Sequence, residues 1–135
     1  MDLIIHILIV FGVYYNLYND KAPASYTTIT LTAASGFTSD YNKAIYWQGL
    51  VIIVGTYKTT GSYAANNYTT IASINPSYAP SNYVYFKATC NGMIQSCSGR
   101  INSSGQIQIY NSGNSNYISA LPSPLGVHCM IVYAK

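Results

Sequence analysis

Tyr46-Trp47-Gln48-Gly49-Leu50-Val51-Ile52-Ile53-Val54-Gly55 is the stretch whose reading decides the fold. Ala44 to Trp47 reads as a strand, Gln48-Gly49 as a tight turn or bulge, and Leu50 to Tyr57 as a continuous apolar run suited to a strand buried on both faces. Working towards the N-terminus, Ser35 to Asp40 has loop composition, and Thr27 to Thr32 alternates, with Ile29 and Leu31 on one face. Working towards the C-terminus, Thr59 to Asn67 is a polar loop and Tyr68 to Ile74 a strand. Asn75-Pro76-Ser77-Tyr78-Ala79-Pro80 is a rigid turn, because each Pro fixes φ and lacks an N–H. Val84, Phe86 and Ala88 alternate with Tyr83, Tyr85 and Lys87, one set for a core and the other for solvent. Arg100 to Ser103, Ser104-Gly105 and Gln106 to Tyr110 read as a hairpin in which Ile107 and Ile109 share a face while Gln106 and Gln108 point away. After the polar loop Asn111 to Asn116, a short strand is expected at Tyr117 to Ala120. A Pro-bearing connection follows at Leu121 to Gly126, and a closing strand at Val127 to Tyr133. Strands at this spacing imply an all-β antiparallel sandwich or barrel.

Composition narrows the function classes. The 135 residues suit one domain, and only 7% of them are charged, against about 25% in ordinary soluble domains. Ser, Thr, Asn and Tyr must therefore cover the surface, and so few charges suit a chain that buries surface against copies of itself. Glutamate is absent, and Asp2, Asp20 and Asp40 are the acids. The bases Lys21, Lys43, Lys58, Lys87, Arg100 and Lys135 are scattered, so the net charge of +3 lacks the clustering that nucleic-acid binding needs. Tyrosine stands out at fifteen copies. It favours strands, and in loops it gives rigid amphipathic contact area.

Leu3 to Tyr18 is apolar almost throughout, broken by His6, Gly12 and Asn16. No basic residue precedes it, and it falls slightly short of the roughly 20 apolar residues of a transmembrane helix. Read as a helix, Leu3, Ile7, Val10, Tyr14 and Leu17 form a heptad seam, with Ile4, Leu8, Phe11 and Tyr15 as a second stripe. A run this apolar reads equally as a strand. We read it as a buried oligomerisation or attachment segment, with a membrane anchor as the alternative. Residues 19–25 are a linker by composition, which separates a segment 1–25 from a head 26–135.

Little in the chain has the spacing of catalytic chemistry. Asp20 and Asp40 form the one plausible carboxylate pair, and both sit in linker- or turn-like sequence. His128 and Cys129 are strand neighbours that point to opposite faces. Cys90, Cys97, His128 and Cys129 lack the close ligand pairs of zinc sites, and no phosphate-binding glycine loop occurs. No enzyme activity, metal or cofactor is expected. Cys90 and Cys97 could close a small loop, but the reading favours free buried thiols, as in a reducing cytosol. Arg100 reads first as a partner for backbone carbonyls or an intersubunit contact, and Trp47 as a core or interface anchor.

Five pieces in order carry a resemblance over most of the chain, from about residue 27 onwards: Gly36-Phe37; Gly49 with Leu50 to Gly55; Pro76-Ser77-Tyr78-Ala79-Pro80; Val84-Tyr85-Phe86-Lys87-Ala88; and Arg100-Ile101 with Gly105-Gln106-Ile107. The succession resembles the receptor-binding head, or knob, of bacteriophage tail-fibre and baseplate proteins. The resemblance implies a jelly-roll-like β-sandwich, a homotrimer at a fibre tip on the virion, and a host-surface carbohydrate or other receptor as ligand. Family members carry a long stalk before the head, whereas about twenty residues stand there in this chain. A short tail fibre and a capsid-attached fibre are therefore both open, with other virion proteins met through the N-terminal segment. Binding residues are expected in the polar loops, at Tyr63, Asn66, Asn67, Tyr78, Asn111, Asn114, Asn116 and Tyr117. The alternative is a structural decoration protein of the virion that binds no receptor.

Overall fold

The computed structural model describes residues 25–59, 67–90, 95–111 and 125–135. They form nine strands: β1 (Thr27–Ile29), β2 (Leu31–Ala33), β3 (Thr38–Trp47), β4 (Leu50–Thr59), β5 (Asn67–Ile74), β6 (Val84–Cys90), β7 (Gln95–Ile101), β8 (Gln106–Asn111) and β9 (Leu125–Ala134). A single 3-10 turn at Pro76–Tyr78 follows β5. Among the described residues there is no α-helix, and none that could cross a membrane.

All nine strands belong to one antiparallel sheet in the order β1-β3-β4-β9-β6-β7-β8-β5-β2. The two edge strands are successive pieces of one stretch, separated by Thr30 alone. Thr27, Thr28 and Ile29 pair with Tyr46, Ile45 and Ala44 of β3, while Leu31, Thr32 and Ala33 pair with Ile74, Ser73 and Ala72 of β5. That switch of partner brings the edges together, so the sheet is nearly closed into a barrel. An edge strand exposes a row of unpaired backbone groups, and closure removes that row. The thinnest seam is between β9 and β6, where only Thr89–His128 and Cys90–Val127 are in register.

Alternation within the strands builds the core. Val51, Ile53, Tyr57, Ile71, Ala88, Ile101, Ile107, Ile109, Val127, Cys129 and Ile131 all point inward and are nearly fully buried. The Leu50 to Tyr57 run is buried on both faces as expected, since the outward Ile52 packs with Ile45 in a separate cluster. Gln48 (φ 48°) and Gly49 (φ 83°) turn β3 into β4. Two central residues with positive φ make the two-residue turn whose twist matches the strands it joins. At the other hairpin Asn102 Oδ1 accepts from the N–H of Ser104 and of Gln106, at 3.0 Å each. Gly105 stands at φ 80°, where a Cβ would meet the Ile74 carbonyl at 2.6 Å. Pro76–Tyr78 is held by Tyr133 Oη donating to the Tyr78 carbonyl and Lys135 Nζ to that of Ala79, both at 2.7 Å.

Two expectations need correction. Asp40 is not in a loop. It sits within β3, where the register slips between Ser39 and Tyr41, and it forms an ion pair with Lys58 of β4. Pairing with β4 extends β3 beyond what its polar residues advertise. Cys90 and Cys97 are not free thiols; they are joined by a disulfide. Ala88 lies opposite Cys97 and Cys90 opposite Gln95, so the cysteines are diagonal neighbours with Cα atoms 6.5 Å apart, within the span a disulfide bridges. Leu3, Ile7, Val10, Tyr14 and Leu17, the boundary at residue 25 seen from its N-terminal side, and the strand expected at Tyr117 to Ala120 lie outside the described residues.

Candidate functional site

The outward side chains of β6, β7, β8 and β5 make a connected polar-aromatic surface. Register does the assembling: Tyr85 stands opposite Arg100, Arg100 opposite Gln108, Gln108 opposite Thr70, and Tyr68 opposite Tyr110. On a pleated sheet such opposite residues have Cβ atoms about 5 Å apart and interact directly. Arg100 Nε donates to Gln108 Oε1 at 2.9 Å, and Gln108 Nε2 donates to Thr70 Oγ1 at 3.2 Å. The Arg100 guanidinium lies 3.6 Å from the Tyr68 ring centroid and 4.5 Å from that of Tyr83. Tyr110 tilts against Tyr68 at 5.1 Å, and Tyr85 against Tyr83 at 6.2 Å. Beside them Lys87 Nζ donates to Ser98 Oγ at 2.8 Å.

This arrangement holds a cation still without neutralising it. Stacking on two rings and the bond through Nε fix the guanidinium plane, while its two terminal amino groups make no hydrogen bond to a described residue. No carboxylate of a described residue shares the face. Asp40 is the one acid among the described residues, and it pairs with Lys58 elsewhere. Tyr83 and Tyr85 are 52% and 66% exposed, so flat apolar area lies open next to the fixed charge. A planar fork of donors, side-chain amides and open aromatic rings is a surface that can hold hydroxyls, an acidic group and the apolar face of a sugar ring.

Apart from that face there is an open cleft of about 960 Å³ over the β9–β6 seam, bordered by Asp40, Tyr41, Lys87, Thr89, His128 and Met130. His128 reaches it from the outside, whereas Cys129 faces the core, where burial pushes its thiol up to about 12. The two cannot act as a base and nucleophile pair, since strand neighbours project to opposite sides. Burial also raises the Tyr57 hydroxyl, helped by the nearby Cys129, and raises that of Tyr133. The Tyr57 hydroxyl is buried beside Asn42, which opposes the rise, although no hydrogen bond of full geometry satisfies it. No cluster of three metal-ligating side chains occurs among the described residues. The combination of Cys90, Cys97, His128 and Cys129 is dispersed: two are bonded to each other, one points out and one points in.

Of the loop residues singled out from sequence, Tyr63, Asn66, Asn114, Asn116 and Tyr117 lie outside the described residues. Asn67 and Asn111 come together as the end pair of β5 and β8, next to the Tyr68–Tyr110 pair. Asn67 Oδ1 accepts from the Tyr68 N–H at 2.8 Å. Tyr78 is remote from them, beyond the other end of β5, and packs against Tyr46 with ring centroids 5.7 Å apart. Tyr68, Tyr83, Tyr85, Arg100, Gln108 and Tyr110 were absent from the sequence-based site. The outward alternation of Tyr83, Tyr85, Gln106 and Gln108 was visible; what put Arg100 beside Gln108 and Tyr68 was strand register, which the sequence does not display. Among the described residues Arg100 bonds the Gln108 side-chain amide and no backbone carbonyl.

Compared with known proteins, the chain matches no family model, and no curated protein is significantly similar to it.

Proposed function

We propose that the chain is the knob of a viral fibre, of the bacteriophage receptor-binding kind. In this reading it works as a homotrimer on the virion and holds a host-surface carbohydrate without catalysing a reaction. The supporting observation is the Arg100 guanidinium fixed between Tyr68 and Tyr83 and braced by Gln108 on an open face to which no described residue brings a carboxylate. Sugars bind to open surfaces by stacking one face on an aromatic ring and by hydrogen bonds to donors and acceptors that need no reordering. A preorganised side chain loses less entropy on binding, which is why stacked Arg and Tyr suit this task. The unbalanced charge favours saccharides that carry carboxylate or phosphate groups. Asn67, at the rim beside Tyr68, extends the same surface.

The test is an array of bacterial surface saccharides, neutral and acidic, probed with the purified full chain. Retention of an acidic saccharide is expected, with Arg100→Ala weakening it roughly tenfold or more and Arg100→Lys restoring only part. Tyr83→Ala and Tyr85→Ala should weaken it while leaving the thermal midpoint close to that of the parent. If no saccharide is retained, or if the variants bind as the parent does, the face is not a receptor site, and the decoration-protein reading takes its place.

A further inference from the structure

The cleft over the β9–β6 seam and the tyrosine–arginine face share a wall. β6 turns Tyr85, Lys87 and Thr89 outward in succession, with Ala88 and Cys90 buried between and beyond them. Each outward residue meets a different neighbour: Tyr85 stands opposite Arg100, Lys87 opposite Ser98, and Thr89 opposite His128 of β9. At the usual rise per residue, Tyr85 to Thr89 is about 13 Å of continuous polar track. Lys87 belongs to both ends of it. Its Nζ donates to Ser98 Oγ on the Arg100 side, and the residue also borders the cleft.

Register builds the cleft in two rows across the sheet. In the first, Tyr41, Thr56, His128 and Thr89 stand side by side on β3, β4, β9 and β6. Thr56 Oγ1 is committed to the Tyr41 backbone, accepting from its N–H at 3.2 Å and donating to its carbonyl at 3.4 Å. His128 is exposed and Thr89 half-buried, so an imidazole and a hydroxyl face the cleft. In the second row Lys43 stands opposite Val54, and Val54 opposite Met130. Val54 is buried and Met130 is 41% exposed, which gives the cleft an apolar floor. Lys87 borders that floor from β6, and Lys43 flanks it from β3, its Nζ 5.6 Å from the Tyr41 ring centroid. Asp40, at the rim, is paired with Lys58. With that pair set aside, the surplus charge on the described side chains around the cleft is positive. An apolar floor with a few polar groups at its edges suits one face of a sugar ring, its hydroxyls and an acidic substituent.

We propose that the cleft is a second subsite of the saccharide site, and that the ligand is an acidic oligosaccharide lying along the outward row of β6. One acidic unit sits at Arg100, and another sits over Met130 within reach of Lys87 and His128. The inference rests on the carbohydrate reading of the tyrosine–arginine face and adds to it the length and charge spacing of the ligand. Once one unit is held, the next is at high effective concentration over its own subsite, so the pair binds more tightly than either alone. A short saccharide reaches one subsite only.

Ligand length decides the matter. Two ladders serve as probes, one of linked uronic acids and one of phosphodiester-linked sugars, each in lengths of two, four and six units. They are titrated by calorimetry into the purified full chain. Affinity is expected to rise roughly tenfold or more from two to four units in at least one ladder, then to level off. Met130→Glu sets a carboxylate on the cleft floor and should cancel that rise, while the two-unit member binds as it does to the parent. Met130→Gln, neutral and of similar size, should keep the rise. If Met130→Glu lowers the thermal midpoint, His128→Ala is read in its place and should remove part of the rise. Equal affinity at all lengths, with Arg100→Ala still weakening binding, overturns the second subsite and leaves the receptor face standing. So does a rise with length that neither Met130→Glu nor His128→Ala alters. Binding of neither ladder at any length overturns both readings together.

Discussion

The two outer faces of this nearly closed barrel are made by the same device and carry opposite chemistry. On β3–β4–β9 the outward row reads Ile45, Trp47, Leu50, Ile52, Val132; on β6–β7–β8–β5 it reads Tyr85, Lys87, Arg100, Gln108, Tyr68. The inward rows of both are mostly Ile, Val, Ala and Cys, joined by Tyr57, Tyr133 and Phe86, packed into one core. The difference teaches that the interior of such a barrel sets only that it closes. What each wall does is decided by the alternate residues, which are free to vary without disturbing the core. The first wall is apolar and packs its own side chains against one another, with Ile45 and Ile52 fully buried. The second leaves aromatic rings and a braced cation open.

Paired substitutions strike that comparison hardest. Ile52→Ala should cost about 2–5 kcal/mol, as for a core residue, although Ile52 points outward. Tyr85→Ala, also outward, should change stability by no more than about 0.5 kcal/mol. Urea unfolding followed by circular dichroism measures both, and equal costs would erase the distinction between the walls. The next effect belongs to the open wall, where β6 and β7 are tied by Cys90–Cys97 across a sequence separation of 7. Replacing both by Ala should cost about 2–3 kcal/mol from the loop-closure entropy returned to the unfolded chain. A loss far below that would mean the open wall stands without its tie.

Alkali probes the shared core behind the first wall, since Tyr57, Cys129 and Tyr133 point inward from β4 and β9. The Cys129 thiol is raised from 9.0 to about 12 by burial, with the Gly55 backbone opposing. A group held neutral in the folded state stabilises fully below its unfolded value. Above about pH 9 the unfolded chain gives up its proton first, so stability falls with rising pH until about pH 12 is passed. At pH 10 the loss from this thiol should be about 1 kcal/mol. Cys129→Ala should flatten part of that slope in urea titrations from pH 8 to pH 11; an unaltered slope would place the alkaline sensitivity in Tyr57 and Tyr133 alone. The smallest effect is expected at Asp40, whose ion pair with Lys58 is formed by side chains 61% and 51% exposed. Asp40→Asn should shift stability by less than about 1 kcal/mol, less again in high salt.

Sequence alternation alone made the all-β antiparallel class legible. It also marked the doubly buried strand at Leu50 to Tyr57, the turns at Gln48-Gly49 and Ser104-Gly105, and the inward set on β6. Each of these is local: polarity with period two, a positive-φ turn, or a proline is written within a few residues. The near closure of the sheet was not legible. It rests on Thr30 separating two short strands that pair with opposite edges, and pairing partners far apart in sequence leave no local mark. The free thiols expected at Cys90 and Cys97 were wrong for the same reason, because it is the registers of β6 and β7 that place the two cysteines within reach of each other. Tertiary structure also decided the candidate site. Tyr68, Tyr83, Arg100 and Gln108 come from four separate stretches, and only the stacking of neighbouring strands at fixed spacing turns them into one surface.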